Sequence, residues 1–392
     1  MEETKVIAYK GFDENLCCRG FQYQVGKEYE HEGEIACCSN GFHACTNPLD
    51  VLVHYSINGK NRYCVVEQYG IIKPNWLYSK QASSKIKIIA EIGLAGLFKA
   101  GIEWIKEETN PFTIIETLEE QGDLHAGNQA KIMLNGDSTQ KLSSGNVARI
   151  GSIGDNTKIG SIGFSAHIVS SGDYAKIGSI GKCAQIGASG GHAQIGANGD
   201  YAQISSSGDY NHIGANGVCA QIGVSGDYVQ IGASGDYAQI SSSGQNAKIG
   251  ASGNHANVSS SGDYAKIGSI GNYAQISSSG HSVQIFSSGD CARIVSSGND
   301  VQISSSGNYA QIASSENDAL IESTGEDSVI CCSGGGSMVR AKKGSWITLS
   351  EWKYSEEKER NIPVCVRTEF VDGESIKEDT WYKLVDGEFE EQ

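Results

Sequence analysis

From Gly127 onward, apolar and polar positions recur every nine residues without an insertion or deletion, through 24 units, the last of which opens at Gly334. Glycine opens 23 of the 24 units, and Glu316 is the exception. Five places after the opening position stands isoleucine in 21 units, valine at Val258 and Val339, and lysine at Lys141. Two places before that residue, alanine fills 16 units. In the unit Gly235-Asp236-Tyr237-Ala238-Gln239-Ile240-Ser241-Ser242-Ser243, Ala238 and Ile240 fall on one side, and Tyr237, Gln239 and Ser241 on the other. Period two is the signature of a strand. The Ser-Gly-Asp segment between strands reads as a turn, with glycine taking up positive φ and Asp or Asn bonding nearby backbone amides.

Nine residues cannot encircle a core, so two units are expected to form each coil. The predicted fold class is therefore mainly β: a two-sided parallel β-solenoid of about 18 residues per coil, with two narrow sheets facing each other across isoleucine and alanine. At the spacing of about 4.8 Å between strands, residues 127–340 make a rod about 55 to 60 Å long.

The ends lack the repeat. Residues 1–112 read as an α+β domain with strands over 6–9, 20–25 and 63–68 and a helix opened by Asn47-Pro48-Leu49. A second helix over 94–108 places Leu94, Leu97, Phe98, Ile102 and Ile105 at helical spacing and is expected to cover the first coil. Residues 113–126 are assigned to a linker and solenoid cap. Residues 341–392 read as a small β cap with strands over 345–349, 363–370 and 380–384, and turns at Asp372-Gly373 and Asp386-Gly387.

Composition narrows the function classes. The chain has 50 glycines but only 4 prolines, which fits repetition rather than collagen or a proline-rich linker. The opening MEETKVIAYKG has no basic start before an apolar core, and no stretch has the length of a membrane span, so a cytoplasmic protein without a membrane partner is expected. Twelve cysteines include the adjacent pairs Cys17-Cys18 and Cys37-Cys38, which fits reduced thiols, and Cys183, Cys219 and Cys291 share one outward repeat position. Cys37, Cys38, His43 and Cys45 contain no C-x-x-C pair, so no metal is assigned. The net charge of −16 argues against direct nucleic-acid binding, which needs a basic stripe. No cofactor is expected.

Familiar solenoid activities fit the repeat poorly. Calcium rolls need stacked G-G-x-G-x-D loops, whereas Asp fills the second position in fewer than half the units. The strict period of nine excludes a hexapeptide acyltransferase helix, and the repeat lacks the threonine ranks of an ice-binding face. Tyrosine does face outward, at Tyr174, Tyr201, Tyr210, Tyr228, Tyr237, Tyr264, Tyr273 and Tyr309. These form the candidate binding face, since exposed tyrosine is enriched in interfaces.

One constellation near the N-terminus has chemical interest: Tyr9-Lys10-Gly11, Arg19-Gly20-Phe21, Gly41-Phe42-His43, Tyr55 and Glu67. Its order of parts is loosely similar to ADP-ribosyltransferase-like folds. That resemblance implies that His43 or Arg19 contacts NAD and that Glu67 orients the ribose, although the Ser-Thr-Ser element of those folds is absent.

The stretches YKGF, RGFQYQVGKEYE and CSNGFHACTNPLDVLVHY at one end, and GSWITLSEW with VDGESIKEDTWYKLVDGEFEE at the other, resemble a phage- and prophage-encoded family. In that family such ends flank a repeat tract of variable length, and no activity is assigned to it. The resemblance implies a viral protein acting in the host cytoplasm.

Four functions compete on this reading. The first is a non-enzymatic interaction protein whose acidic rod binds a host or phage protein to counter host defence, with DNA mimicry by Asp173, Asp200, Asp209, Asp227, Asp236 and Asp263 as a variant interrupted by Lys158, Lys176, Lys248 and Lys266. The others are an N-terminal ADP-ribosyltransferase-like enzyme on a solenoid spacer, a virion or fibre component, and sequestration of a small nucleotide signal between copies of a homo-oligomer.

Overall fold

The computed structural model describes residues 5–37, 39–55, 60–74, 79–111 and 123–392. The chain divides into two compact units between Trp104 and Ile105.

The N-terminal unit is a small β domain. Strands β1 (Val6–Phe12), β4 (Glu28–Glu30), β5 (Phe42–Cys45), β6 (Arg62–Pro74) and β7 (Lys80–Glu91) form a five-stranded antiparallel sheet. Between β1 and β4, β2 (Cys17–Cys18) and β3 (Phe21–Gln22) make a two-stranded ribbon. The sheet closes on itself because β7 pairs with both β5 and β6, while β1 lies between those two. Ala8, Phe12, Phe42, Val66, Ile86 and Ile88 pack inside the ring. One polar network shares this interior: buried Gln68 donates to the Phe42 carbonyl at 2.7 Å and to Ser83 Oγ at 3.0 Å, and Gln81 donates to Gln68 Oε1 at 2.9 Å. Each buried donor thus finds an acceptor, which removes the cost of placing amides in a core.

Several sequence expectations change here. The strand expected over 20–25 shrinks to Phe21–Gln22, because Arg19 and Gly20 form a tight turn with φ of +53° and +76°. The helix opened by Asn47 is a 3-10 helix (Pro48–Val53), with Asn47 Oδ1 accepting from the Leu49 amide at 3.0 Å. Strand β7 has no counterpart in the expectation. Its sequence KQASSKIKIIAE mixes lysine and serine into a strand that is nonetheless central to the ring. The second helix, α1 (Gly93–Glu108), stands where its spacing predicts.

The second unit is a parallel β-solenoid. Each strand pairs with the strand 18 residues away, Ile195 with Ile213 and Gln221 with Gln239, so two nine-residue units make one coil. The first sheet contains strands such as Gln194–Asn198 and Gln230–Ala233, the second strands such as Gln203–Ser206 and Gln239–Ser242, and each has thirteen parallel strands among the described residues. The first sheet starts at Asp123–His125; residue 112 and residues 113–122 of the expected linker lie outside the described residues.

Three details of the repeat depart from expectation. The core has three inward ranks, not two: besides alanine at position four and isoleucine at position six, position eight is buried, as Ser161, Ala197, Ser242 and Ser305 show. Small residues at two of three inward ranks let the two sheets close tightly around the isoleucines, each of which contributes about 1.5 to 3 kcal/mol. Several of these serine hydroxyls, Ser161 and Ser242 among them, have no protein hydrogen-bond partner.

The opening glycine, secondly, serves stacking along the rod, and takes the expected positive φ only in the early coils, at Gly127, Gly136, Gly154, Gly163, Gly181 and Gly199. A Cβ built on Gly235 collides with the Gly217 carbonyl oxygen one coil earlier, and the same clash recurs along both edges. Left-handed backbone falls instead on position three, where Tyr174, Cys183, His192, Tyr237 and even β-branched Val147 have φ between +56° and +60°. Each such residue costs roughly 1 to 2 kcal/mol relative to the right-handed region. Its amide is repaid by a bond to the next coil, as when Tyr210 donates to the Asp227 carbonyl at 2.9 Å. Glu316 replaces the glycine where that bond is longer, Asp300 N to the Asn317 carbonyl at 3.1 Å.

Thirdly, Asp and Asn at position two bond the neighbouring coil and not their own turn. Asp155 Oδ1 accepts from the Asp173 amide at 2.9 Å, and Asp173 Oδ1 from the Gly191 amide at 2.8 Å.

At the C-terminal end the parallel order gives way to hairpins. Trp346–Ser355 joins the second sheet with Ile347 beside Ile330, 17 residues away, then folds back antiparallel against Arg360–Phe370. Tyr382–Val385 and Glu388–Glu391 form a second hairpin on the first sheet, turned by Asp386 and Gly387 at φ of +46° and +78°. The outermost strands carry Pro363 and the charged pair Arg367 and Glu388, features that keep an exposed edge from recruiting another strand.

Candidate functional site

The two outer faces of the solenoid differ at position seven. In the first sheet it is glycine in seven successive strands, Gly160 to Gly268 at intervals of 18, and these glycines are buried. The segment after α1 lies against two of them: a Cβ on Gly196 would strike the Thr109 carbonyl oxygen, and one on Gly214 the Thr109 Oγ1. Thr109 is itself buried, with Oγ1 donating to the Ile105 carbonyl at 2.7 Å. Helix α1 was expected to lead onto the first coil. Its following residues instead sit over the strands of Gly196 and Gly214, because only a rank of side-chain-free positions admits a backbone so close.

The second sheet leaves the same position open. A Cβ on Gly223 meets nothing within 4 Å. Next to it, position five carries amides from Gln185 through Gln203, Gln221, Gln239 and Asn257 to Gln275, in register along the sheet. Between this row and the floor of Gly187, Ser205, Gly223 and Ser241 runs a trough of about 690 Å³. The amides can donate and accept, and they stand at one strand spacing from one another.

The eight tyrosines do not share one face. With two turns per coil, position three forms two ranks at opposite edges: Tyr174, Tyr210, Tyr228 and Tyr264 on one, and Tyr201, Tyr237, Tyr273 and Tyr309 on the other. All are between 41% and 57% exposed. On the first edge, Tyr174, His192, Tyr210 and Tyr228 stack continuously, with ring centroids 4.8 to 5.0 Å apart. On the second, which borders the amide row, Cys219 separates Tyr201 from the shorter stack of Tyr237, His255 and Tyr273.

In the N-terminal unit a cavity of about 520 Å³ brings together Arg19 and His43. Lys10 reaches it from β1; it is 5% exposed, and its Nζ donates to the His43 carbonyl at 2.8 Å and approaches Cys18 Sγ at 3.5 Å. Burial lowers the Lys10 pKa. Tyr55 also donates to Cys18 Sγ, at 3.0 Å, and burial foremost raises the pKa of its phenol. His43 falls to about 4 through burial and the nearby charges of Lys80, Lys10 and Arg19. Glu67 is not part of this group. It neighbours Val66, which faces the core, so strand alternation sends its side chain to the other side of β6, where it pairs with Lys5 at 2.9 Å. The order of parts noted in the sequence therefore does not assemble as one NAD site.

Among the described residues no three His, Cys, Asp or Glu side chains converge on a metal position; Cys38 lies outside them. Cys183, Cys219 and Cys291 are free thiols. Sequence reasoning missed both the glycine rank with its contrasting open trough and the basic character of the N-terminal cavity. The first was legible as glycine recurring at an interval of 18 rather than nine. The second was not, since Lys80 comes from a strand without a sequence signal.

Residues 6–100 match a family described as a domain of unknown function (DUF7666), about a quarter of the chain. No curated protein and no solved structure matches the chain.

Proposed function

We propose that this protein is a phage-encoded, non-enzymatic binding protein that works in the host cytoplasm, where the open sheet of its solenoid engages a host protein and so counters host defence. The observation that carries this reading is the amide row from Gln185 to Gln275 beside an open trough, on the one sheet whose position seven is not used for packing. A rank of amides that can each donate and accept suits the peptide groups of an extended protein segment, which offer donors and acceptors alternately. Tyr201, Tyr237 and Tyr273 at the border add contact area at low entropic cost. The viral setting rests on the resemblance of both ends to phage and prophage proteins. DNA mimicry has weaker support, because Asp173, Asp209, Asp227, Asp236 and Asp263 already spend a carboxylate oxygen on backbone amides.

The test is capture from host lysates by the full chain, beside Gln221→Ala/Gln239→Ala on the open sheet and Tyr210→Ala on the opposite edge. A protein held by the parent and by Tyr210→Ala, and lost with the double variant, supports the reading. Equal capture by all three, or no capture across several hosts, overturns it. Binding that weakens steeply with salt would shift the reading to DNA mimicry.

A further inference from the structure

The N-terminal cavity concentrates positive charge in a chain whose net charge is −16. Lys10 enters from β1, Arg19 from the turn between β2 and β3, and Lys80 from the start of β7, while Glu30 is the one carboxylate among the lining residues. These cations bear on a single imidazole, His43. An aromatic cluster shares the wall. Phe21 lies 4.8 Å from Tyr23, centroid to centroid, and 6.3 Å from Phe42, yet remains 46% exposed. A volume of about 520 Å³ is that of a small-molecule site and not of a packing defect.

The backbone at Arg19 is a second, independent observation. Tight hairpin turns with two left-handed residues favour Asn, Asp or Gly at the first, and an arginine there costs roughly 1 kcal/mol or more. Arg19 holds φ of +53°, with Nη1 donating to the Ser39 carbonyl at 3.3 Å, across the cavity rim. Strain of this kind persists where a position is over-determined, and it concentrates at ligand clamps.

We propose that this cavity binds a small molecule joining a flat ring to a phosphoryl group, of the nucleoside monophosphate class, with the phosphoryl group against Arg19 and Lys80 and the ring against Phe21. A doubly charged anion suits several converging cations better than a carboxylate does, and the planar fork of arginine matches two phosphoryl oxygens. An exposed phenylalanine supplies the apolar surface on which a base stacks. The solenoid faces take no part in this site, so its failure and the failure of the open-sheet reading are separate outcomes.

The experiment is calorimetric titration of the full chain with the four ribonucleoside 5′-monophosphates, their nucleosides and inorganic phosphate. At least one monophosphate is expected to bind about tenfold or more tighter than its nucleoside and than phosphate, and Arg19→Gln to weaken it about tenfold while the far-ultraviolet dichroism stays unchanged. Nuclear magnetic resonance gives a readout that a structural role would not move. An anion among Lys80, Lys10 and Arg19 offsets the repulsion on His43, so its titration is expected to move upward from about 4 when ligand is present. The proposal is overturned if no monophosphate saturates the protein at millimolar concentration, if nucleoside binds as tightly as monophosphate, or if Arg19→Gln leaves affinity and the His43 titration unchanged.

Discussion

Across the same coils, one sheet of the solenoid carries buried Gly196, Gly214 and Gly232 at position seven, and the other Ser205, Gly223 and Ser241 in the open. Both sheets share the inward isoleucine, the same left-handed corner and the same 18-residue register. The inner ranks answer to folding and are common to both. The outer ranks are released from that demand, and at position seven they diverge: one sheet has shed its side chains there, with the chain's own backbone seated on Gly196 and Gly214, while the other leaves the position open beside a row of amides facing solvent. The difference teaches that a nearly uniform repeat can carry two surfaces, provided the coil and not the unit is the period.

The largest expected effect tests what the sheets share. Ile231 belongs to the first sheet and Ile240 to the second, and both are buried. Replacing both with Asp buries two carboxylates without partners and is expected to cost more than about 5 kcal/mol, abolishing the cooperative β-rich melt seen by circular dichroism. Survival of that melt would refute the common core.

A matched pair of substitutions then separates the faces. In Gly214→Ala the new methyl meets Thr109, with an expected loss of about 1 to 3 kcal/mol, whereas Gly223→Ala enters open space and is expected to be neutral or stabilising by about 0.5 kcal/mol. Urea denaturation of the two variants measures the contrast, and equal midpoints would erase the distinction drawn between the sheets.

The smallest effect concerns the two edges. Tyr210 lies within a continuous stack between His192 and Tyr228, while Tyr201 stands between Cys183 and Cys219. Tyr210→Ala is therefore expected to lose about 0.5 to 1.5 kcal/mol more than Tyr201→Ala, the backbone strain being the same in both. Thermal melts of the pair decide it.

The parallel solenoid was legible because isoleucine and alanine repeat with period two inside period nine, and burial leaves such a pattern few alternatives. What escaped has specific causes. Position three is left-handed in Tyr237, Cys183 and Val147, residues whose own preference opposes it, so only the neighbouring coil determines that corner. The glycines that look like flexible turn residues are steric spacers between coils. In the N-terminal unit, β7 is polar and irregular, and its place is set by pairing with β4, β5 and β6 at once. Arg19 and His43 are near neighbours in the cavity, but Glu67 is turned away by the alternation of one strand.

The 18-residue register also governs how such a chain can change length. Losing one nine-residue unit would send every later strand to the opposite sheet, carrying glycines to the solvent side and serines such as Ser205 and Ser241 into the rank that seats Thr109. Losing two would leave each downstream residue on its own side. The repeat tract thus has a parity, and only even steps preserve it. The step of 17 between Ile330 and Ile347 breaks this count beside the terminal hairpins, where no further coil depends on it.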